Sequence, residues 1–567
     1  MGQERVNHKK NKYIFKTHLG EWIASVILGF LEVLTLSLFY KDSLSFWFHS
    51  FLMVLAFLGL GILFSVICYL LMRWIQFLCC PRQLFLPEHK SISGWDRRHP
   101  FLLSVIVLTF CYLPWIIAFY PGSAIYDMMY QIVQADGFIA INEHHPIFAT
   151  FVMGLCSKIG LAIDGTLNPG IFIYIILQTA VSILCFSAML SYMVQQGAKR
   201  GVYLFVLGFF AILPLWGGSM QVGTKDTIFT GAFVLFLVLC AQLMEQEVSF
   251  KAGQWIAFGG LIVLLCLYRN AILIILIPSL AVFFFVLLKD KKKRKWFIVS
   301  ALAALLIAQA FLSVTKSVYQ TRTKTGEILG IPFQHTGRYV RDHGDEMTEE
   351  EIAMVEQTFS VDSYQELGKL YYPMSSVPIK DRYFWWASDD QKEILTEYVK
   401  EWFSMLKKHP GTYFEATIAK TSGYYTLLPA VSKQIGGVGT TIQFGPDQLI
   451  VREVVEASGG TLSEKLIPES PESLKGAQDV LRSWYFFWQK TPVLNLFFKC
   501  GFYFLILLAV TIYYSKRKSR GIVLTIPGYF LILMAIASPP NEHIRYVQPV
   551  IAALPLLICA AGKKNNT

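Results

Sequence analysis

Long apolar runs separated by short polar loops dominate the pattern of the chain. Each run has close to the ~20 residues that a helix needs to cross about 30 Å of hydrocarbon, and a helix satisfies its own backbone hydrogen bonds in lipid. The runs predict an all-α polytopic membrane protein with roughly 12 transmembrane helices. They lie near residues 21–41, 50–72, 101–119, 169–193, 201–216, 226–244, 254–269, 271–288, 296–314, 492–513, 521–537 and 545–562.

Lysine and arginine cluster in alternate loops. Clusters precede the first predicted helix and follow the second, fourth, sixth, eighth, tenth and last, the densest being Lys291–Lys295 after the eighth. Because cytoplasmic loops carry the excess of cations, we expect these loops and both termini to face the cytoplasm. The sequence therefore predicts a multi-pass protein of a cell membrane.

One further apolar segment, 146–163, does not fit this alternation. If it crossed the membrane, Lys199-Arg200 and the cluster after the eighth helix would face outward. We therefore predict that 146–163 lies along the outer interface or dips into it. The alternative, in which this segment spans and a different one does not, remains open.

The helical pattern is interrupted by a long polar region, which predicts a large mixed outer domain. Its first part, near 321–337, has an extended pattern. The predicted organisation is two leading helices in 1–100, a membrane core in 101–316 with an outer loop at 120–168, an extracytoplasmic domain in 317–491, and a three-helix segment in 492–567.

Composition agrees with the membrane prediction. The chain is 54% hydrophobic and 16% charged, which excludes a soluble multidomain protein. Its net charge of +11 is dispersed over loops, so membrane lipids rather than nucleic acid are the expected partners. The ten cysteines fall mainly in apolar runs, and the adjacent pair Cys79-Cys80 has no second pair at zinc spacing. We predict neither a disulfide framework nor a metal site.

On the predicted outer face, an isolated acid, Asp127, follows the turn at Pro121-Gly122. Ionisable groups at a membrane boundary are costly and usually functional. Asp127 is a candidate general base for an acceptor hydroxyl, with a pKa raised by partial burial. The alternative is an ordinary helix cap.

Two adjacent histidines, His144 and His145, come directly before Pro146, which favours a helix start. One of them is a candidate for substrate binding or proton transfer, assisted by Glu143. Neighbouring side chains point apart on a helix, so a two-histidine metal site is not expected. Capping or headgroup contact is the alternative role.

Isolated cations stand at the outer ends of three later helices, each beside other polar residues. An arginine fork matches phosphate geometry, and a lysine at a helix start gains from the positive end of the helix dipole. The alternatives are interfacial anchors and an ion pair between Glu542 and Arg545. The candidate binding residues here are Lys225, Asp226, Arg269, Asn270, Glu542, Arg545 and Tyr546.

These residues resemble those of the GT-C superfamily of membrane glycosyltransferases. The matching features are Asp127 in the first large outer loop, His145-Pro146-Ile147 at the interfacial helix, and Arg545-Tyr546 followed by Pro549. With the other outer-face residues, the set is more similar to a bacterial, functionally uncharacterised branch of that superfamily. The resemblance covers about 100–315 and 490–560 and implies a GT-C-like arrangement of helices.

The resemblance implies transfer of a sugar from a polyprenyl-phosphate-linked donor to a glycan or lipid acceptor of the cell surface or cell wall. Asp127 would act as the base, while Lys225, Arg269 and Arg545 would hold the carrier phosphate. Two departures stand out: a second acid near Asp127 is missing, and Ile147 replaces a proline. No cofactor is therefore predicted, and a divalent cation is not favoured.

The main alternative is a transporter or flippase for a lipid-linked glycan. Such a protein is expected to carry ionisable groups near the bilayer midplane on broken helices, often in repeated halves. Here the charges stand at helix ends. A third alternative, an assembly or sensor protein that binds through 317–491, leaves the isolated cations unexplained.

Overall fold

A computed structural model of the protein describes residues 2–85, 94–245, 249–287, 290–321, 326, 329–383, 391–428, 442–459 and 466–561. In these ranges the regular elements are helices, apart from one pair of two-residue strands. The chain is an all-α polytopic membrane protein, as the apolar pattern predicts.

The first half of the chain forms the helices of the membrane core and the strand pair. These are α1 (Gly2–Lys41), α2 (Phe51–Leu78), α3 (Pro81–Leu84), α4 (Trp95–Arg98), α5 (Pro100–Ala118), β1 (Ser123–Ala124), α6 (Tyr126–Ala135), α7 (Ile147–Asp164), α8 (Asn168–Gln195), α9 (Arg200–Ile212), α10 (Pro214–Met220), β2 (Val222–Gly223), α11 (Lys225–Leu243), α12 (Ala252–Tyr268), α13 (Leu273–Val286) and α14 (Lys291–Tyr319).

The second half begins with the helices of the polar region and ends with three apolar helices. These are α15 (Gly330–His343), α16 (Glu349–Phe359), α17 (Tyr364–Leu370), α18 (Val377–Lys380), α19 (Gln391–Lys408), α20 (Pro410–Thr421), α21 (Leu449–Ala457), α22 (Lys475–Lys490), α23 (Cys500–Lys516), α24 (Ile526–Ala537) and α25 (Ile544–Ala561).

Each of the twelve predicted membrane segments contains an apolar helix. Among the described residues, eight helices are long and apolar enough to cross a membrane, and α9 with α10 adds a ninth if this pair, bent by 51°, is one span. Four others, α12, α13, α23 and α25, are apolar but shorter. Helix α7 is one of the eight, so its interfacial position remains a prediction, as does the number of spans.

The basic loops meet at one end of the helix bundle. Lys516, the last residue of α23, forms an ion pair with Glu21 of α1, and Arg73 of α2 lies 4.0 Å from the same carboxylate. Arg200 at the start of α9 pairs with Asp96 of α4 at 2.9 Å. These contacts agree with the predicted grouping of the basic loops on one side.

The described part of 317–491 is built of helices and turns. Its first segment forms helix α15, so the extended start expected near 321–337 is wrong over Gly330–Gly337. Pro332 is accommodated because it lies in the first turn, where its missing N–H has no helical partner to lose. A separate apolar core, which includes Phe333 and Tyr398, holds these helices together.

The guanidinium of Arg338 joins this region to the first membrane helix. Its side chain is 1% exposed and lies 3.0 Å from Asp42, which follows α1, and 3.2 Å from Asp342. It also forms an ion pair with Glu415 of α20 at 2.5 Å. A buried cation needs such partners, because its desolvation is otherwise uncompensated.

Candidate active site

A pair of short parallel strands brings two distant helix starts together. Ala124 of β1 is in register with Gly223 of β2, and helices α6 and α11 begin two residues after them. Asp127 and Asp226 therefore occupy equivalent positions, each three residues beyond the pairing. The strands pack closely: a Cβ on Gly223 would lie 2.0 Å from the sulfur of Met128. Glycine is needed at this point.

The buried side chain of Gln178 fixes the start of α11. Its amide group donates to the carbonyls of Met220 at 2.8 Å and Val222 at 2.7 Å, and its oxygen accepts from the Thr224 N–H at 3.2 Å. The Thr224 hydroxyl accepts in turn from the Asp226 N–H at 3.3 Å, a standard N-cap. This network orients the first residues of α11.

The segment 442–448 covers the strand pair. The Gly445 N–H donates to the Ser123 hydroxyl at 2.6 Å, and the Asp447 N–H donates to the Ala124 carbonyl at 2.7 Å. These two bonds supply partners for polar groups of β1 and join the polar region to the strand pair.

Asp127 lies between two cations. Arg545 donates to its Oδ2 at 3.1 Å, and the Lys225 ammonium is 3.8 Å from the same oxygen. Burial raises the pKa of the Asp127 carboxyl, but Arg545 and Lys225 outweigh burial and hold that pKa well below its usual range. The expectation of a raised pKa is therefore wrong, since it considered burial without the neighbouring cations.

Asp226 is the second carboxylate of the cluster. Its two oxygens lie 3.3 Å from Nε of Arg545 and 3.5 Å from a terminal nitrogen of Arg269. The side chain of Asp226 is 4% exposed, against 28% for Asp127. Asp127 is thus the carboxylate that a substrate can reach, and Asp226 positions the two arginines.

Aromatic rings complete the positioning of these arginines. The guanidinium carbon of Arg269 lies 5.1 Å from the ring centre of Phe229 and 5.6 Å from that of Tyr546. That of Arg545 lies 5.4 Å from the Tyr546 ring. Contacts of this kind are worth about 0.5–2 kcal/mol each and restrict the rotation of the guanidinium groups. Tyr546 therefore contacts both cations.

His145 reaches the cluster through Lys225, with its Nδ1 3.2 Å from the lysine ammonium. Because the ammonium donates, Nδ1 is the acceptor and Nε2 carries the proton. Burial and Lys225 lower the pKa of His145 well below its usual range, so its ring is neutral. Nε2 is buried without a hydrogen-bond partner among the described residues, which leaves a donor available. The ring of His144 lies beside that of His145, with the ring centres 4.4 Å apart and the planes inclined by 52°.

Asn270 and Glu542, two predicted binding residues, do not belong to the cluster of charges. The side chain of Asn270 donates to the carbonyls of Glu143 at 2.9 Å and His144 at 3.3 Å, so it fixes the turn that carries the histidines. Glu542 pairs with Lys499 at 3.1 Å. The alternative ion pair with Arg545 that the sequence suggested is not formed, because Arg545 pairs with Asp127 and Asp226 instead.

His543 and Lys499 are two ionisable residues near the site that sequence reasoning missed. The ring of His543 stacks on Tyr546 at 4.6 Å, and burial together with Arg545 lowers the pKa of His543 to about 3. The position of His543 two residues before Arg545 could have indicated that it lies near the site. Lys499 lies 43 residues from its partner Glu542, and no spacing rule links them.

The assembled cluster contains three cations and two carboxylates, a formal charge of +1 with neutral histidines. Side chains of Lys225, Arg269 and Arg545 are between 10% and 18% exposed, so their charges act in poorly hydrated surroundings. Such an arrangement is suited to hold an anionic group next to the reachable carboxylate of Asp127.

Comparison with known proteins gives one family and two solved structures. The model of a family described as "Family of unknown function (DUF6020)" matches residues 125–567. The structure is similar to that of ArnT from Cupriavidus metallidurans bound to undecaprenyl phosphate, with 10% identity and a TM-score of 0.31. For the same protein in the apo state the values are 11% and 0.26; both matches cover 81% of this chain and 78% of the other. No curated protein sequence matches.

Proposed function

The chain belongs to the DUF6020 family, and we propose that it transfers a sugar from a polyprenyl-phosphate carrier to a glycan or lipid acceptor at the outer face of a bacterial cell membrane. One observation carries the proposal: the reachable carboxylate of Asp127 lies between Arg545 and Lys225 at one end of the helix bundle. A transferase of this kind needs a proton acceptor and a phosphate site side by side.

In the proposed reaction, the acceptor hydroxyl attacks the anomeric carbon of the sugar. The new carbon–oxygen bond forms as the bond from that carbon to the phosphate oxygen breaks, and the electron pair leaves with the polyprenyl phosphate. Asp127 accepts the hydroxyl proton. Lys225, Arg269 and Arg545 stabilise the charge that develops on the departing phosphate, which is the largest contribution that such a site makes.

The low pKa of Asp127 has a place in this scheme. While Arg545 and Lys225 pair with the carboxylate, it is ionised but a weak base. A phosphate that binds these two cations neutralises part of their positive charge. The pKa of Asp127 then rises toward its usual range, so the base strengthens when the donor is present.

The positions of the charges favour a transferase over a flippase. Asp127, Lys225 and Arg545 stand in the first turns of α6, α11 and α25, at helix ends. The outer face is assigned to this end because the basic loops gather elsewhere, around Glu21 and Lys516. A flippase needs its ionisable groups along the path across the bilayer.

The test is transfer from a labelled polyprenyl-phosphate sugar in membranes that contain the Asp127→Asn variant. We expect a loss of about 10²-fold or more, since a positioned base contributes that much. The matched control is Asp164→Asn, because Asp164 is exposed and caps a local turn at Thr166. Full transfer by a well-expressed Asp127→Asn variant would contradict the proposal. Movement of the donor across the bilayer without its consumption would indicate the flippase.

A further inference from the structure

Two histidines and a glutamate meet in the polar region, at the end of α15. Nδ1 of His343 lies 3.2 Å from one carboxylate oxygen of Glu346, and Nε2 of His409 lies 3.0 Å from the other. The three ligand atoms are within 4.8 Å of one another. His343 is the last residue of α15 and Glu346 lies three residues later, whereas His409 directly precedes α20. The group therefore joins two separate elements.

A second contact sets the tautomer of one histidine. Nε2 of His343 lies 2.9 Å from the hydroxyl oxygen of Thr412, in the first turn of α20. When Nε2–H donates to this hydroxyl, the lone pair of His343 is on Nδ1, the nitrogen that faces Glu346. Metal-bound histidines are characteristically held by such an outer hydrogen bond. The ring of Tyr339 packs against both imidazoles, at 5.7 and 5.6 Å.

The three side chains are close enough to bind one metal ion after small rotations. Zn²⁺ bonds to histidine nitrogen and carboxylate oxygen at about 2.0–2.1 Å, which places neighbouring ligand atoms about 3.3 Å apart. The two histidines lie 3.2 and 3.0 Å from different oxygens of Glu346, so this exposed carboxylate must rotate to place one oxygen beside an ion that both imidazoles bind. The imidazoles stack with centres 3.6 Å apart, so they must turn out of the stack to direct both lone pairs at one ion.

Exposure leaves room for this rotation. The side chains of His343 and His409 are 22% and 26% exposed, and that of Glu346 is 59% exposed. The helices behind them are fixed, since buried Glu351 of α16 pairs with Lys408 of α19 at 2.7 Å. A rigid support with solvent on one side suits a site in which water is the fourth ligand.

We propose that His343, Glu346 and His409 bind one Zn²⁺ ion and that this ion fastens the end of α15 to the start of α20. Two imidazoles and one carboxylate favour zinc and similar transition metals over magnesium or calcium, which prefer oxygen ligands. The site shares no residue with the cluster around Asp127. It is therefore independent of the proposed transferase activity.

The test uses the full-length protein, purified in detergent, treated with a chelator and titrated with Zn²⁺ in a calorimeter. We expect one ion per chain and a higher melting temperature with Zn²⁺ than without. Titration with Co²⁺ should give the visible absorption bands of a tetrahedral site. The double variant His343→Ala/His409→Ala should lose all three signals. The control His49→Ala, which removes an exposed histidine elsewhere, should keep them.

Two milder variants keep the test decisive if the double variant misfolds. Glu346→Gln removes a ligand from an exposed position and should weaken Zn²⁺ binding at least ~10-fold. Thr412→Val keeps the shape of the side chain but removes the outer hydrogen bond, and should weaken binding about 10–100-fold. Absence of Zn²⁺ binding by the wild-type protein, or unchanged binding by Glu346→Gln, would overturn the proposal.

Discussion

Arg545 and Asp127 are 418 positions apart in the chain, and the guanidinium of the first donates to the carboxylate of the second at 3.1 Å. The contact joins the start of the last helix, α25, to the start of α6. Since Arg545 also lies 3.3 Å from Asp226, one side chain ties together both carboxylates of the site.

Arg545→Lys tests whether transfer requires the planar guanidinium of this side chain or only its positive charge. Lysine keeps the cation but cannot contact both carboxylates from one plane. We expect a protein that folds normally but transfers sugar about 10²-fold more slowly, comparable to the loss of one aligned donor. Arg545→Gln should in addition lower the free energy of unfolding by about 3 kcal/mol, because buried Asp226 loses a partner.

Thermal unfolding in detergent and the transfer assay measure these two effects. Arg200→Lys is the matched control, since Arg200 is 66% exposed and pairs with Asp96 at the other end of the bundle. That substitution should change the stability by no more than about 0.5 kcal/mol. Wild-type activity of Arg545→Lys would show that the two-carboxylate contact does not matter for transfer.

Gln178→Leu should impair the site without touching a charged residue. Leucine has a similar size but leaves the carbonyls of Met220 and Val222 without their donor, which costs about 1–3 kcal/mol. We expect lower stability together with reduced transfer, because the start of α11 shifts. In the control Gln309→Leu, an exposed glutamine of α14 is replaced, and neither quantity should change. Normal transfer by Gln178→Leu would show that this network does not position Lys225.

The stability of the protein should fall as the pH rises through the range in which Glu542 ionises. Burial raises the pKa of Glu542 from 4.5 to about 7, and Lys499 limits the rise. The folded state therefore binds this proton more tightly than the unfolded state. The contribution is fully present below pH 4.5 and is lost as the pH approaches 7, about 3 kcal/mol in total.

Denaturant unfolding at pH 5 and pH 8 measures this difference. Glu542→Gln should abolish this part of the pH dependence. Glu472→Gln is the control, because Glu472 is 83% exposed. An unchanged pH dependence in Glu542→Gln would mean that another group is responsible.

Cysteine labelling in intact cells tests the orientation of the bundle. A membrane-impermeant thiol reagent should label Asp164→Cys and Tyr126→Cys from outside, whereas Lys292→Cys should react only after permeabilisation. All three positions are exposed. Opposite behaviour of Asp164→Cys and Tyr126→Cys would mean that α7 crosses the membrane. Labelling of Lys292→Cys in intact cells would reverse the assignment of the outer face.

Much of the site was predictable because charge in a membrane protein is costly. Asp127, Lys225, Arg269 and Arg545 stood out as isolated charges at helix ends, and the structure brings all four together. The alternation of basic loops was sufficient to place these four side chains on the same face of the membrane. The helices themselves followed from the length of the apolar runs.

Pairing within the site was not predictable in the same way. No pattern in the sequence indicates that Arg545 pairs with Asp226 and Asp127 and not with Glu542, three residues away. These ion pairs depend on the strand register, which places the two aspartates side by side. The lowered pKa of Asp127 was missed for the same reason. His343 ends α15 and His409 directly precedes α20, 66 residues later, so their contact depends on how these two helices pack against each other.

The contact between Arg338 and Asp42 limits how this protein can be shortened or recombined. Asp42 belongs to the turn after α1, whereas Arg338 is buried in the polar region. A version that begins after α2 would leave this guanidinium with fewer carboxylates, and water or a counter-ion would have to enter the interior to compensate. A chimaera that exchanges the first two helices must therefore carry Asp42 with them.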